Sequence, residues 1–196
     1  MSTTESTPRW VDLSTVGTVV HQRLQALQEG ALRNRSADVA ALARLRRAVG
    51  KPVGSIGDVL QHTTHEHFAG PDAGDEATPA ERAAHIAMTL YAVHQQSQNQ
   101  RMHQRGWGIG RAMRALHPEE PAAPNAVLHR FQRLGTSDSL DELTHHARGV
   151  VQLLRAAQIP LDYALLTDEL LTWQRPGGAA RVRLRWGREF YRTTPR

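Results

Sequence analysis

The feature that most limits how this chain can fold is the helical spacing of its apolar residues. Near the C-terminus, for example, Val182, Trp186 and Phe190 recur at every fourth position, so a helix would place them on one face. No segment of strand length alternates apolar and polar residues with the β-branched bias of a strand. We therefore predict an all-α fold of about eight or nine helices, arranged as two packed helical sub-bundles in one compact unit.

Capping and helix-breaking residues set the predicted helix boundaries. Thr78 before Pro79, Ser139 three residues before Glu142, and Asp162 are N-cap signals. Ser36 has the same form, and Gly30 and Gly50 are predicted stops. The predicted helices cover residues 16–29, 36–49, 56–65, 79–98, 108–117, 125–135, 139–154, 162–173 and 179–192.

The segments between these helices indicate how the chain is organised. Residues 1–12 are predicted to be a flexible arm, because they hold too little apolar surface to become ordered. Residues 13–105 are predicted to form an N-terminal helical sub-bundle and residues 106–196 a C-terminal one. The polar segment 95–107 is predicted to be an exposed loop, and the sequence PEEPAAP is predicted to be a link.

The charged residues suggest a polyanionic partner. The chain has 24 Lys and Arg against 19 Asp and Glu, a net charge of +5, and Lys51 is its only lysine. Arginine suits phosphate because its guanidinium is always protonated and binds with two donors at once. A compositional bias of the genome explains the high ratio of arginine to lysine equally well. Only the positions of the arginines in the chain can distinguish these two explanations.

Several chemical classes are not supported by the residues present. The chain has no cysteine, so it has neither disulfides nor thiolate metal sites, and we expect a cytoplasmic protein without a secretion signal or membrane span. The cluster of His62, His65, Glu66 and His67 lacks the spacing of a zinc motif. Nucleophile and phosphate-loop motifs are missing as well. We expect no cofactor, no metal and no catalysis.

Arginine-rich rows recur on several predicted helices. Each row lies on one helical face and contains little Asp or Glu. Such a row is favourable where a phosphate backbone crosses it, although a row of charges is also simply the solvated side of many helices. The rows are Arg44, Arg47 and Lys51; Arg111 and Arg114; Arg130 and Arg133; His145, Arg148, Gln152 and Arg155; and Arg181, Arg185, Arg188 and Arg192.

The polar segment before Trp107 adds further candidates. Arg101, His103 and Arg105 are predicted there as exposed donors for phosphate. Trp107 has two interpretations: it offers an aromatic face on which an unpaired base stacks, or it anchors the segment to the bundle.

Six segments, in this order, resemble the CasB family. The resemblance extends from about Leu42 to Tyr191 and is strongest in the C-terminal half; none of the segments is a catalytic signature. They are ARLRRAVGKP, AAHIAMTLYAVH, GIGRAMRAL, HRFQRL, LTHHARGVVQLLRAAQIPLDYALLTDELLTW and RVRLRWGREFY.

The resemblance implies the helical, non-catalytic small subunit of the type I-E CRISPR complex Cascade, which acts in antiviral defence. Two copies would lie head to tail against the backbone subunits that hold the guide RNA, with a large subunit as a further partner. The family's small subunits bind the displaced DNA strand and stabilise the R-loop. The implied nucleic-acid contacts are Arg46, Arg47, Lys51, Arg101, Arg105 and Arg111, followed by Arg130, Arg133 and Arg148.

Three alternatives remain open at this point. The arginine faces of an assembly scaffold would contact acidic protein partners only, and Arg181, Arg183 and Arg185 suit such contacts with a neighbouring copy or the backbone subunits. A helix-turn-helix regulator would need a shorter link than PEEPAAP. A metal-dependent nuclease is the enzymatic alternative.

Overall fold

The structure is a computed structural model that describes residues 11–117 and 126–192. This part of the chain contains nine α-helices and one short 3-10 turn, Gly57–Val59. The helices are α1 (Thr15–Leu32), α2 (Ser36–Arg47), α3 (Leu60–Thr63), α4 (Pro79–His94), α5 (Ile109–Leu116), α6 (Ala126–Thr136), α7 (Leu140–Ala156), α8 (Tyr163–Trp173) and α9 (Gly178–Phe190).

The all-α prediction is confirmed. Among the described residues, β structure is limited to one isolated bridge between His103 and Leu161. The predicted arm lies outside the described residues except for its last two, and the PEEPAAP link lies outside them entirely.

Two helices, α4 and α8, form the centre of the molecule. α8 packs against α4, α1 and α9, and α4 also contacts α2 and α7. Tyr91 of α4 and Tyr163 of α8 are both fully buried. Burial of such large side chains contributes strongly to the free energy of folding. The division into two sub-bundles between residues 105 and 106 stays a prediction. Helices from both sides of that boundary contribute to one hydrophobic core.

The predicted caps of the central helices are confirmed. The Thr78 hydroxyl accepts a hydrogen bond from the Glu81 amide, and the Glu81 carboxylate accepts one from the Thr78 amide, which is a complete capping box. Asp162 caps α8 through the Leu165 amide. Ser139 caps α7 in the same way. These caps place the N-terminal ends of the three helices.

Other predicted boundaries are wrong. Gly30 does not end α1, which continues to Leu32; the Asp38 and Arg35 side chains lie where a Cβ at Gly30 would be. Its small size therefore serves close packing. Ser36 does not cap α2 but is its first residue, after an Arg35 N-cap without a side-chain hydrogen bond.

The ends of two more helices were also misplaced. α2 ends at Arg47, and α4 ends at His94, four residues before the predicted end. The Gln95 side chain explains the second case, because its amide donates to the carbonyl oxygens of Gln98 and Gln100 and so folds the chain into a turn. The predicted helix at 56–65 is reduced to the 3-10 turn and α3.

Candidate nucleic-acid interface

A cleft of about 660 Å³ brings basic residues from separate segments together. Lys51, which follows α2, and Arg148 of α7 were both predicted as nucleic-acid contacts, and both line it. Arg82, from the first turn of α4, and His145 of α7 line the same cleft. Lys51, Arg82, His145 and Arg148 are all exposed. The cleft therefore presents cations from three parts of the chain to solvent.

Helix α6 places a further arginine against α7. The Arg130 Nη1 atom lies 3.1 Å from the position that a Cβ would take at Gly149, the residue after Arg148. Arg133 follows Arg130 by one helical turn, and both are exposed. The Arg130 guanidinium thus lies against α7, although neither Arg130 nor Arg133 is among the residues that line the cleft. We call the three cations that line it, Lys51, Arg82 and Arg148, the cleft cations.

Acidic residues also line the cleft. Asp75 and Glu76, from the exposed segment before α4, and Asp141, from the first turn of α7, lie among the lining residues. The rows predicted from the sequence left these carboxylates out, although Asp75 and Glu76 lie six to seven residues before Arg82, and Asp141 lies seven residues before Arg148. These three carboxylates equal the three cations Lys51, Arg82 and Arg148 in number, so the formal charge of the lining is zero with histidine neutral, while the Lys51 and Arg148 side chains stay exposed.

The α2 candidates lie in different environments. Arg47 is exposed and forms an ion pair with Asp58, with Nη2 and Oδ2 3.1 Å apart. Arg46 is half-buried. An exposed ion pair of this kind contributes little to stability and exchanges easily for a phosphate. The predicted roles of Arg46 and Arg47 stay predictions.

The segment 95–107 is not the exposed loop that the sequence predicted. Met102 and His103 are buried. The His103 amide donates to the Gln28 side chain at 2.8 Å, and the Gln28 amide donates back to the His103 carbonyl. Because this segment finds its hydrogen-bond partners on α1, its polar composition did not prevent burial.

His103 is a neutral structural residue and not the exposed donor that was predicted. Its Nδ1 accepts from the Tyr163 amide at 3.2 Å, so the ring proton lies on Nε2, which donates to His21 Nδ1 at 2.8 Å. Burial lowers the pKa of His103 to about 4. The ring therefore carries no charge for a phosphate at neutral pH.

Arg105 is also engaged inside the fold. Its Nε donates to Asp162 Oδ2 at 3.0 Å, its Nη2 donates to the Val11 carbonyl at 2.7 Å, and its side chain is only 18% exposed. Its partner Asp162 is 1% exposed. The ion pair connects the polar segment to the N-terminus of α8. The predicted phosphate contact of Arg105 is untested and competes with these bonds.

Arg101 and Arg111 are exposed. The Arg111 guanidinium carbon lies 4.2 Å from the centroid of the Trp107 ring, which is half-buried against the core. Trp107 thus anchors its segment to the bundle, which is one of the two interpretations offered for it. Its ring also contacts the Arg111 guanidinium. This pairing of Trp107 with Arg111 was not predicted.

The row on α9 is mostly exposed. Arg181, Arg188 and Arg192 are exposed, and Arg185 lies 3.7 Å from the buried carboxylate of Glu169. Arg183 is half-buried over the Trp173 ring and donates to the Ser137 carbonyl at 2.6 Å. Arg183 therefore holds α9 against the bundle.

Within residues 11–117 and 126–192, no group of three or more His, Asp or Glu side chains is arranged to hold a metal ion. No helix in that part combines the length and apolar character that a membrane crossing requires. What the surface offers chemically is an array of guanidinium donors for an anionic partner.

The comparisons with known proteins agree with the resemblance found in the sequence. The family model described as CRISPR-associated protein Cse2 matches residues 41–191. The structure is similar to that of CasB from Thermobifida fusca, with 42% identity, a TM-score of 0.78, and coverage of 92% of this chain and 100% of that one. Comparison with curated proteins gives no match.

Two further solved structures are similar over the same extent. CasB from Thermus thermophilus shares 28% identity and a TM-score of 0.65, covering 91% of this chain and 99% of that one. A CRISPR-associated protein of the Cse2 family, also from Thermus thermophilus, shares 27% identity and a TM-score of 0.65, with the same coverage of both chains. The chain therefore belongs to the CRISPR-associated Cse2 family, whose solved members are also called CasB.

Proposed function

We propose that this chain is a non-catalytic small subunit of the type I-E Cascade complex that holds the displaced DNA strand and so stabilises the R-loop. Its partners would be the guide RNA and target DNA, a second copy of itself, and the backbone and large subunits. The single observation that carries the proposal is the convergence of the cleft cations from the segment after α2, from α4 and from α7.

The energetic demand on these residues is small. R-loop formation exchanges one duplex for another of similar stability, so a few contacts with the displaced strand are enough to favour it. Arginine and lysine contacts with phosphate release condensed counterions and do not depend on base sequence. Sequence-independent contacts suit this task, because base pairing with the guide already supplies the specificity.

A salt titration of single-stranded DNA binding tests the proposal. In the full-length chain, replacing Lys51, Arg82 and Arg148 together by alanine removes the three cleft cations. We expect weaker binding and a plot of log affinity against log salt whose slope is shallower by about 2, since each single-strand phosphate contact contributes about 0.7. Filter binding at four or more salt concentrations gives the slope.

A second triple variant controls for the loss of charge alone. Arg181 and Arg188 of α9, and Arg192 two residues past its end, are exposed, and replacing them by alanine removes the same net charge from residues that do not line the cleft. We expect this variant to keep most of the wild-type slope. Equal losses in the two variants, or an unchanged slope in the first, would show that the cleft is not the binding site.

One observation favours an additional role in assembly. Leu184 is 54% exposed and shares a face of α9 with Arg181 and Arg188, and Tyr191, directly after the end of that helix, is 64% exposed. Large exposed apolar side chains among arginines are typical of protein interfaces and are not needed for contact with phosphate. We propose that α9 contacts a protein partner while the cleft contacts nucleic acid.

A further inference from the structure

The stacked pair of Trp107 and Arg111 has a feature that phosphate binding alone does not require. The guanidinium lies over the indole ring, 4.2 Å from its centroid, and Arg111 Nη1 donates to the Gly106 carbonyl at 3.0 Å. The ring therefore lies on one side of the guanidinium, and one guanidinium nitrogen is tied to the backbone. Arg111 as a residue is exposed to solvent.

The ring beneath this arginine is held rigidly. The Gly106 amide donates to Asp162 Oδ2 at 2.9 Å, and the Asp162 amide donates to the Trp107 carbonyl at 2.7 Å. Gly106 has a φ of 80°, which glycine adopts at little cost. The inner side of the Trp107 ring packs against the core. The stack is thus organised before any ligand arrives, so binding would order few additional groups.

Glu189 occupies the N-terminal end of α5, where an anion would otherwise bind. Its Oε2 accepts a hydrogen bond from the Arg111 amide at 3.4 Å, and its carboxylate lies where a Cβ at Gly108 would be. Helix N-termini attract phosphate, but here a carboxylate of the chain itself already takes that place. The exposed feature that remains for a ligand is the planar guanidinium on its aromatic support.

We infer that one unpaired nucleobase stacks on the outer face of the Arg111 guanidinium, with Trp107 as the layer beneath it. Bases stack on guanidinium and aromatic planes alike, and every base has a π-face, so the site would tolerate any sequence. Paired bases are already stacked within a duplex, so the site selects single strands. The inference rests on the proposed function, since it names the part of the strand that this surface holds.

The test compares two single-stranded oligonucleotides of equal length and phosphate number, one with bases and one abasic throughout, binding to the full-length chain. We expect the strand with bases to bind on the order of tenfold more tightly. Arg111→Lys keeps the charge but removes the planar face. In this variant we expect the affinity for the abasic strand to be unchanged and the preference for bases to fall severalfold. Quenching of 2-aminopurine fluorescence provides a second measure of stacking.

Arg114→Lys is the matched control, because Arg114 lies one turn along the same helix and donates to the Phe190 carbonyl instead of covering a ring. It should keep the wild-type preference. If wild type binds both strands equally, or if Arg111→Lys keeps the preference, the stack serves the fold alone and the inference is overturned, while the proposed function stands. If neither strand binds at low salt, both are overturned.

Discussion

Arg105 shows how one arginine can serve the fold where the charge pattern predicted a ligand contact. Asp162 is buried, and Arg105 is the cation within ion-pair distance of it among the described residues. Removing one member of such a pair leaves a buried charge uncompensated, which costs more than an exposed pair would.

We expect Arg105→Ala to lower the free energy of unfolding by about 3 kcal/mol. Arg101→Ala, at an exposed position in the same segment, should change it by no more than about 0.5 kcal/mol. Urea denaturation followed by circular dichroism gives both values. Adding Asp162→Asn to Arg105→Ala should restore part of the loss, because asparagine keeps the cap of α8 without the buried charge. Equal stability of the two single variants would contradict this role of Arg105.

At the scale of single residues, the sequence predicts what depends on near neighbours. Thr78, Ser139 and Asp162 were predicted as caps because each bonds an amide three residues away. The exposure of His103 and Arg105 was misjudged because their partners, Tyr163 and Asp162, lie about sixty residues along the chain. The spacing of neighbouring residues cannot predict contacts between residues so far apart in the chain.

The contact between α8 and α9 contains a carboxyl group that is costly to ionise. Glu169 is 1% exposed, and Trp186 Nε1 donates to its Oε2 at 2.8 Å. Burial raises its pKa from 4.5 to about 8. Between these two values the folded chain retains a proton that the unfolded chain has released. The contribution of this group to stability is therefore complete below pH 4.5 and is lost as the pH rises towards 8.

Glu169→Gln removes this dependence while keeping an oxygen for the Trp186 bond. We expect the stability of the variant relative to wild type to increase by about 1 kcal/mol or more between about pH 5 and pH 8. Glu66→Gln, at an exposed carboxylate, should show no such increase. Urea denaturation at several pH values measures the difference, and parallel profiles for Glu169→Gln and wild type would contradict the raised pKa.

At the scale of elements, long periodic segments were predicted well and short or glycine-containing ones poorly. α7 and α9 were predicted close to their observed ranges because their apolar residues repeat over three or more turns. Gly30 was misjudged because a glycine can serve close packing as well as termination. α3 has only four residues, too few for any period to define.

At the scale of the whole molecule, the fold brings residues that are distant in sequence together. Lys51 and Arg148 lie almost a hundred residues apart in the chain yet line one cleft, because α7 packs on α4 beside the end of α2. The sequence predicts which residues share a helical face, but the direction of that face depends on how helices pack. For this reason Arg82 was missed: it belongs to no basic row, and only the packing of α4 places it beside Arg148.

The most direct test of the central claim is photo-crosslinking in the assembled complex. A target DNA with photoreactive groups along the displaced strand would be bound by Cascade containing this chain, and the crosslinked peptides would be mapped. We expect adducts on the peptides that carry Lys51, Arg82 and Arg148, and far fewer when these three residues are alanine. A displaced strand that crosslinks efficiently to other subunits and never to this chain would contradict the account.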